Sequence, residues 1–294
     1  HVSLAERFQL PRVLVTAAAG SMIVIVVLML GFIAWNGIQI FTKGIGLADL
    51  FSTSWGPQND QPTYGILPFI AGTVGVTALA VVFAAPLSVG LALFMSEVAP
   101  AWARSIVQPS LEVFVGIPSV VWGWMGITIL VPFLRAYGSG IGFHLGFSWF
   151  AGSLVLTIMI LPTITSVAYD VFRSVPGDLR TASLALGTTR WQMMRHVVVP
   201  ASVAGVLTAI VLGMTRAAGE ALAVQMVIGN RTAMPSALTD PVTTLTSQIT
   251  LDMGNTVSGE TWNDALWTMS LVLLLISIGF VLLIRVLNRR RQLG

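Results

Sequence analysis

Arg216 and Glu220 stand four residues apart inside an apolar stretch running from about Pro200 to Ile228. A guanidinium is a planar, permanently charged fork that matches the oxygens of phosphate-like anions. At the centre of a bilayer an ionised arginine costs about 2.5–3.5 kcal/mol on insertion scales, so it belongs where it faces a bundle interior or a wet path. Counted from Pro200, Arg216 falls near mid-membrane, give or take a turn. On a continuous helix a spacing of four puts both side chains on one face, where they partly neutralise each other. This chemistry permits two roles. One is a cationic way-station that an anion can enter and leave; the other is a structural ion pair that fixes helix register.

The second concentration of charge is the polar island from Arg173 to Pro200, RSVPGDLRTASLALGTTRWQMMRHVVVP, which holds Arg173, Arg180, Arg190 and Arg195. Pro176 suits the first position of a helix, and Asp178 in that turn complements the helix dipole. Residues Leu179–Leu186 continue the helix, and Gly187 suits a left-handed stop. Thr188 or Thr189 can cap a second short helix through Trp191, Met193 and Met194 until Pro200. The expected product is a bent helical pair in which the small residues Ala182 and Ala185 let a groove on a partner approach closely.

Other chemistry is thinly supplied. The sole lysine, Lys43, follows Thr42, so the Gly-Lys-Ser/Thr ending of a phosphate-cradling loop is missing. If ATP drives this protein, another chain hydrolyses it. No nucleophile elbow or paired catalytic carboxylates occur, so the chain reads as a non-enzyme. His144 and His196 lack second ligands at metal spacing, and there is no cysteine. No metal site is expected. Glu112 is read as an acid one to two turns inside a span, reaching interfacial water or pairing with Arg104. Asp170 and Arg173 are read as interfacial.

The elements that must position these groups follow from composition. Of 294 residues 55% are hydrophobic and 9% charged, with a mean hydropathy of +0.86. A soluble domain carries roughly a quarter charged residues, so the fold class is all-α: a polytopic membrane helix bundle. The net charge of +3 is spread over short segments rather than one patch, which fits membrane topology better than a nucleic-acid surface. About six transmembrane helices are expected: Val13–Phe41, read as a retained anchor, then Ile66–Met95, Ser105–Leu134, Trp149–Phe172, Pro200–Ile228 and Ala265–Leu287. Arginine placement puts both termini, Arg104, the 173–200 loop and Arg289–Arg291 on the cytoplasmic side. Lys43, Arg135 and Arg231 fall on the outer side, whose turn-rich segments are Trp55–Tyr64, Gly138–Gly146 and Thr232–Asp264. Pro86, Pro118 and Pro162 are placed within spans, and many span glycines are read as helix-packing positions.

TASLALGTTRWQMMRHVVVP resembles the EAA loop of ABC-importer membrane subunits, in its alanine, glycine and closing apolar–proline spacing. GILPFIAGTVGVTALAVVFAAPLSVGLALFMSEVAP, GIPSVVWGWMGITILVPFL, MILPTITSVAYDVFRSVP and RAAGEALAVQMVIGN resemble successive blocks of phosphate-transport permeases, of the PstC rather than the PstA type. The likeness runs from about Ile66 to Ile284. It implies a type I (MetI-like) transmembrane domain over 66–288, preceded by a first helix and outer loop in 1–65 and followed by a basic tail at 289–294. It also implies a multi-pass subunit of the bacterial inner membrane that translocates phosphate. Thr181, Ala182, Ala185, Leu186 and Gly187 would meet the ATPase, although Thr181 stands where the family usually has glutamate. Arg216 and Glu220 would line the substrate path. The implied partners are a PstA-like permease, PstB-like ATPase subunits carrying ATP and Mg, a PstS-like extracytoplasmic binding protein, and membrane lipid. No cofactor is expected in this chain. Other oxyanions, sulfate or molybdate, are the alternative cargo. An ion-coupled secondary carrier is the rival class, but its inverted repeat is not evident.

Overall fold

In lipid every backbone polar group must be satisfied within the protein, so long apolar runs become helices. The structure, a computed structural model, describes the backbone of residues 4–291, and side-chain surroundings for residues 13–283 and 286. Its elements in chain order are α1 (Leu4–Gly37), α2 (Leu47–Leu50), a small antiparallel hairpin β1 (Trp55–Gly56) and β2 (Thr63–Tyr64), α3 (Leu67–Glu97), α4 (Ala101–Gly116) and α5 (Ser119–Met125). A π-turn at Gly126–Leu130 joins α5 to α6 (Val131–Gly138). Then come α7 (Trp149–Ser174), α8 (Gly177–Ala185), α9 (Arg190–Met193), α10 (Val199–Ala218), α11 (Leu222–Gln225), α12 (Leu245–Asp252) and α13 (Thr261–Arg291). Six helical stretches among the described residues are long and apolar enough to cross a bilayer, as expected from the sequence.

Two span assignments are corrected. The third does not run from Ser105 to Leu134, because the chain breaks at Ile117–Pro118, both in extended backbone, and the span is Ser119–Ile141. Proline removes a donor and disfavours helix in the residue before it, so a boundary here is natural. Pro118 therefore starts a helix rather than interrupting one. Glu112 lies on the separate helix α4 and is exposed, with no ion pair to Arg104. The fifth span starts earlier than Pro200 and stops earlier than Ile228: it is helical from Arg190 to Ala218. A π-turn at Met194–Val198 lets the helix pass through Pro200, whose missing N–H would otherwise break the ladder. At the chain's end α13 continues to Arg291, so the run 289–291, expected as tail, is helical.

The core forms where α3 and α10 pack on α7, the most buried of the spans. Ala80, Ala84 and Ala92 give α3 a small-residue face. Polar side chains stitch the helices together: Ser88 donates to the Leu161 carbonyl at 3.1 Å, beside Pro162, and Thr157 to the Ala80 carbonyl at 3.3 Å. Gly213 and Gly205 of α10 face Ile164 and Val171 of α7 with no room for a side chain. Close approach through small residues is the usual association device in lipid.

Gly72 is the tightest such case against backbone, since a Cβ there would sit 2.1 Å from the Thr243 carbonyl oxygen. Overpacking of this kind typically costs about 1–3 kcal/mol. Gly72→Val should therefore lower the detergent unfolding midpoint by several degrees, whereas Gly90→Val, where nothing lies within 4 Å, should not. Equal midpoints would show that the 243–244 segment yields freely.

The three predicted outer segments meet at one end of the bundle. Lys43 pairs with Asp264 at 2.5 Å and also reaches the Gly259 carbonyl. The N–H groups of Trp149 and Phe150 donate to the Asp240 and Leu238 carbonyls. Asp240 accepts from the Ser236 hydroxyl and from the Ser236 and Ala237 N–H groups, and these bonds hold its carboxyl below the ordinary aspartate value. The predicted inner segments, 96–104 and 173–200, gather at the other end. Helix α1 joins α13 near Phe32 and Gly37, and its apolar residues 13–31 remain exposed.

Candidate functional site

Helix α10 stops at Ala218 instead of continuing to Ile228. Gly219, a poor helix former, ends it, and the backbone groups freed beyond it find side-chain partners. Thr246 donates to the Glu220 carbonyl at 2.8 Å, and the Glu220 carboxylate accepts from the Ala223 N–H at 3.4 Å, opening the single turn α11. The chain then turns through left-handed Gly229 (φ +86) and Asn230 (φ +52), with the Asn230 amide donating to the Gln225 carbonyl at 2.9 Å. Irregular backbone at membrane depth is tolerated only where it is buried in protein or lines a cavity.

A cavity does adjoin this break. It measures ≈510 Å³ and is lined by Val120, Ile127, Phe147, Leu222, Gln225, Met226, Gly229 and Asn230. Gln225 Oε1 and Asn230 Oδ1 are buried acceptors without a partner among the described residues. The sequence does not announce either residue as lining a path: Asn230 reads only as the start of a chance Asn-Arg-Thr glycosylation triplet, and Gly229-Asn230 closing an apolar run is a turn signal.

Arg216 sits in the last turn of α10 and is half-buried. Its Nη1 donates to Thr163 Oγ1 at 2.6 Å, and Thr163 lies near the middle of the 26-residue α7. That contact, rather than a count from Pro200, fixes its depth at mid-bundle. Glu220 is also half-buried, beside a threonine cluster of Thr73, Thr77, Thr244 and Thr246. The expected Arg216–Glu220 pairing on one helix face does not form. The helix ends between them, and among the described residues Arg216 has no carboxylate within ion-pair distance. The structure thus brings both residues to one helix break but leaves the guanidinium uncompensated.

At the predicted cytoplasmic end α8 begins just after Pro176, which caps rather than opens the helix, and Gly187 takes the left-handed φ of +81. Of the two threonines it is Thr189 that caps the next helix, in a reciprocal box with Gln192 at 3.2 and 2.8 Å. Thr188 instead bonds back to the Ser183 carbonyl and hydroxyl. Thr181, Ala182, Ala185, Leu186 and Gly187 are all exposed on one side of this hairpin, and Leu186 is 85% exposed. Opposite them Arg180 is tied to Glu97, at the end of α3, through two hydrogen bonds of 2.9 and 3.2 Å. Nothing local hints at this pair, because its members are 83 residues apart.

A bundle of this order, with a helical hairpin at one end and a broken helix at mid-depth, has counterparts among transporter transmembrane domains. Among solved structures it is similar to a bacterial alginate ABC transporter determined with a pentasaccharide-bound periplasmic protein (TM-score 0.66, 18% identity, 98% of this chain and 97% of that one). It is also similar to the MetNI methionine ABC transporter (TM-score 0.59, 18% identity, 74% and 92%). The fold is therefore the MetI-like ABC-importer type. In sequence, residues 88–293 match the family described as binding-protein-dependent transport system inner membrane component. The chain belongs to that family, as a multi-pass permease subunit of an ABC importer, with ATP hydrolysis on a separate subunit. It is 49% identical over 283 residues to the probable ABC transporter permease protein YqgH of Bacillus subtilis, covering 96% of this chain and 91% of that protein. It is 32% identical over 295 residues to the phosphate transport system permease protein PstC of Xylella fastidiosa, covering 95% and 90%.

Proposed function

We propose that this subunit moves inorganic phosphate, delivered by an extracytoplasmic binding protein, through a path whose cationic station is Arg216. The observation that carries this reading is a guanidinium at mid-bundle with, among the described residues, one hydroxyl partner and no paired carboxylate. An anion crossing a low-dielectric bundle needs a positive group there, and one that binds too tightly would trap it. Glu220, at the same break, supplies negative potential that shortens the anion's stay. The relatives that carry phosphate transport in their names support the choice of cargo.

The complex around it comprises a PstA-like second permease, two PstB-like ATPase subunits that bind ATP and Mg, and a PstS-like binding protein. The hairpin from Gly177 to Thr189 docks on the ATPase through Thr181, Ala182, Ala185, Leu186 and Gly187, so it and both termini are cytoplasmic. This chain carries no cofactor or metal of its own. A guanidinium fork also fits sulfate or molybdate, so the test compares all three anions. In proteoliposomes holding the whole complex, ATP hydrolysis should rise severalfold with binding protein loaded with phosphate. Stimulation by sulfate- or molybdate-loaded binding protein, with none by the phosphate-loaded protein, would assign the other cargo.

A further inference from the structure

The Arg180–Glu97 pair sits away from both the cavity and the exposed docking face. Arg180 belongs to α8 and Glu97 is the last residue of α3. Their side chains are 21% and 7% exposed, so the pair is largely removed from water. Glu97 Oε2 accepts from Arg180 Nε at 3.2 Å and Oε1 from Nη2 at 2.9 Å, a bidentate fork. The same guanidinium also reaches two carbonyls at the C-terminal end of α7: Phe172, from Nη2 at 2.7 Å, and Val175, from Nη1. A cation there complements the helix dipole. Ser96 Oγ donates to Glu97 Oε1 at 2.9 Å, and Arg104 of α4 donates to the Ser96 carbonyl at 3.3 Å.

One side chain therefore fastens the exposed hairpin to the ends of α3 and α7, the two helices that pack together along the bundle core. Long side chains on surface loops usually contribute little because they are mobile and solvated. Here four N–H contacts from a planar group, in a site with little water, leave α8 little freedom to rock alone. Losing one partner of such a pair strands the other charge.

We infer that Arg180 and Glu97 are positioning residues that force α8 to move with α3 and α7, so that displacement of the docked hairpin becomes displacement of the helices around the path. The inference rests on the reading of the hairpin as the ATPase-docking element. Without the clamp the ATPase still docks, but its closure swings α8 without moving the bundle.

The test uses the whole complex in proteoliposomes, with Glu97→Gln as the nearly isosteric variant and Arg180→Ala as the second. The expected result is wild-type ATPase stoichiometry on co-purification, retained basal ATP hydrolysis, and phosphate transported per ATP reduced about tenfold. Because the chain lacks cysteine, spin labels placed at Asp178→Cys and Val98→Cys before assembly with the partners report the α8–α3 distance without background from this chain. That distance should stay fixed between nucleotide-free and ATP-trapped states, and should shift or broaden on trapping in the Glu97→Gln background. An unchanged transport-to-ATP ratio, or a label distance that Glu97→Gln leaves unaltered, would overturn the clamp. Loss of ATPase in proportion to loss of transport would assign the pair to loop shape only, and equally overturn it. Should the wild-type complex hold its ATPase elsewhere than on this hairpin, the docking reading itself fails, which ATPase retention by Leu186→Asp detects separately.

Discussion

Arg216→Gln will leave the protein inserted and assembled with its partners while lowering phosphate uptake roughly a hundredfold. The size follows from what glutamine removes. A hydrogen bond to a charged group is worth about 1.5–3 kcal/mol, and an anion held by a guanidinium fork loses up to two of them. A loss near 3 kcal/mol corresponds to roughly a hundredfold. Glutamine keeps a polar amide but ends two atoms short of the Nη1 that reaches Thr163 at 2.6 Å in the wild type, so that contact is loosened together with the loss of charge. Arg216→Lys should fall between, since it restores charge but not the fork. The two roles open from the sequence give opposite signatures. A path residue changes transport and leaves the detergent unfolding midpoint alone, while a register-fixing residue changes the midpoint first. The missing Arg216–Glu220 bridge already weakens the second role. Wild-type uptake by Arg216→Gln would remove this residue from the mechanism.

How far the sequence could be read depended on the range of the interaction. The number of spans was legible because apolar length is a local property that lipid enforces. The hairpin was legible for the same reason: Gly187 at φ +81 and the Thr189 cap are decided within a few residues. What was illegible needed a partner distant in the chain. The break after Ala218 is completed by Thr246 on α12, so nothing near Glu220 announces that its helix has ended. The helical period therefore predicted a shared face for Arg216 and Glu220 that does not exist. Glu97 and Arg180, too, become a pair only once α3 and α7 are packed together. The third span was misread because apolar composition continues through Ile117–Pro118, and there backbone restriction outweighs hydrophobicity.

Leu186→Asp should strip the ATPase from the complex. Leu186 is 85% exposed at the tip of α8, followed directly by the left-handed glycine that turns the chain away. A large apolar side chain held clear of its own protein is stabilised by nothing in this chain. Its burial in a partner cleft would supply about 1.5–3 kcal/mol. Aspartate forfeits that contribution and adds an unpaired charge to an apolar contact, a further penalty. Together these predict at least a tenfold drop in co-purified ATPase, read by quantitative pull-down in detergent. Leu186→Ala should give a smaller drop, since only part of the buried surface is lost. Neither change should move the unfolding midpoint of the isolated permease. That separates this tip from Arg180, whose replacement is expected to spare docking and lose transmission. Wild-type ATPase retention by Leu186→Asp would mean that the exposed side of α8 is not the contact, and the docking surface would then have to lie elsewhere on the predicted cytoplasmic end, for example at the exposed Trp191.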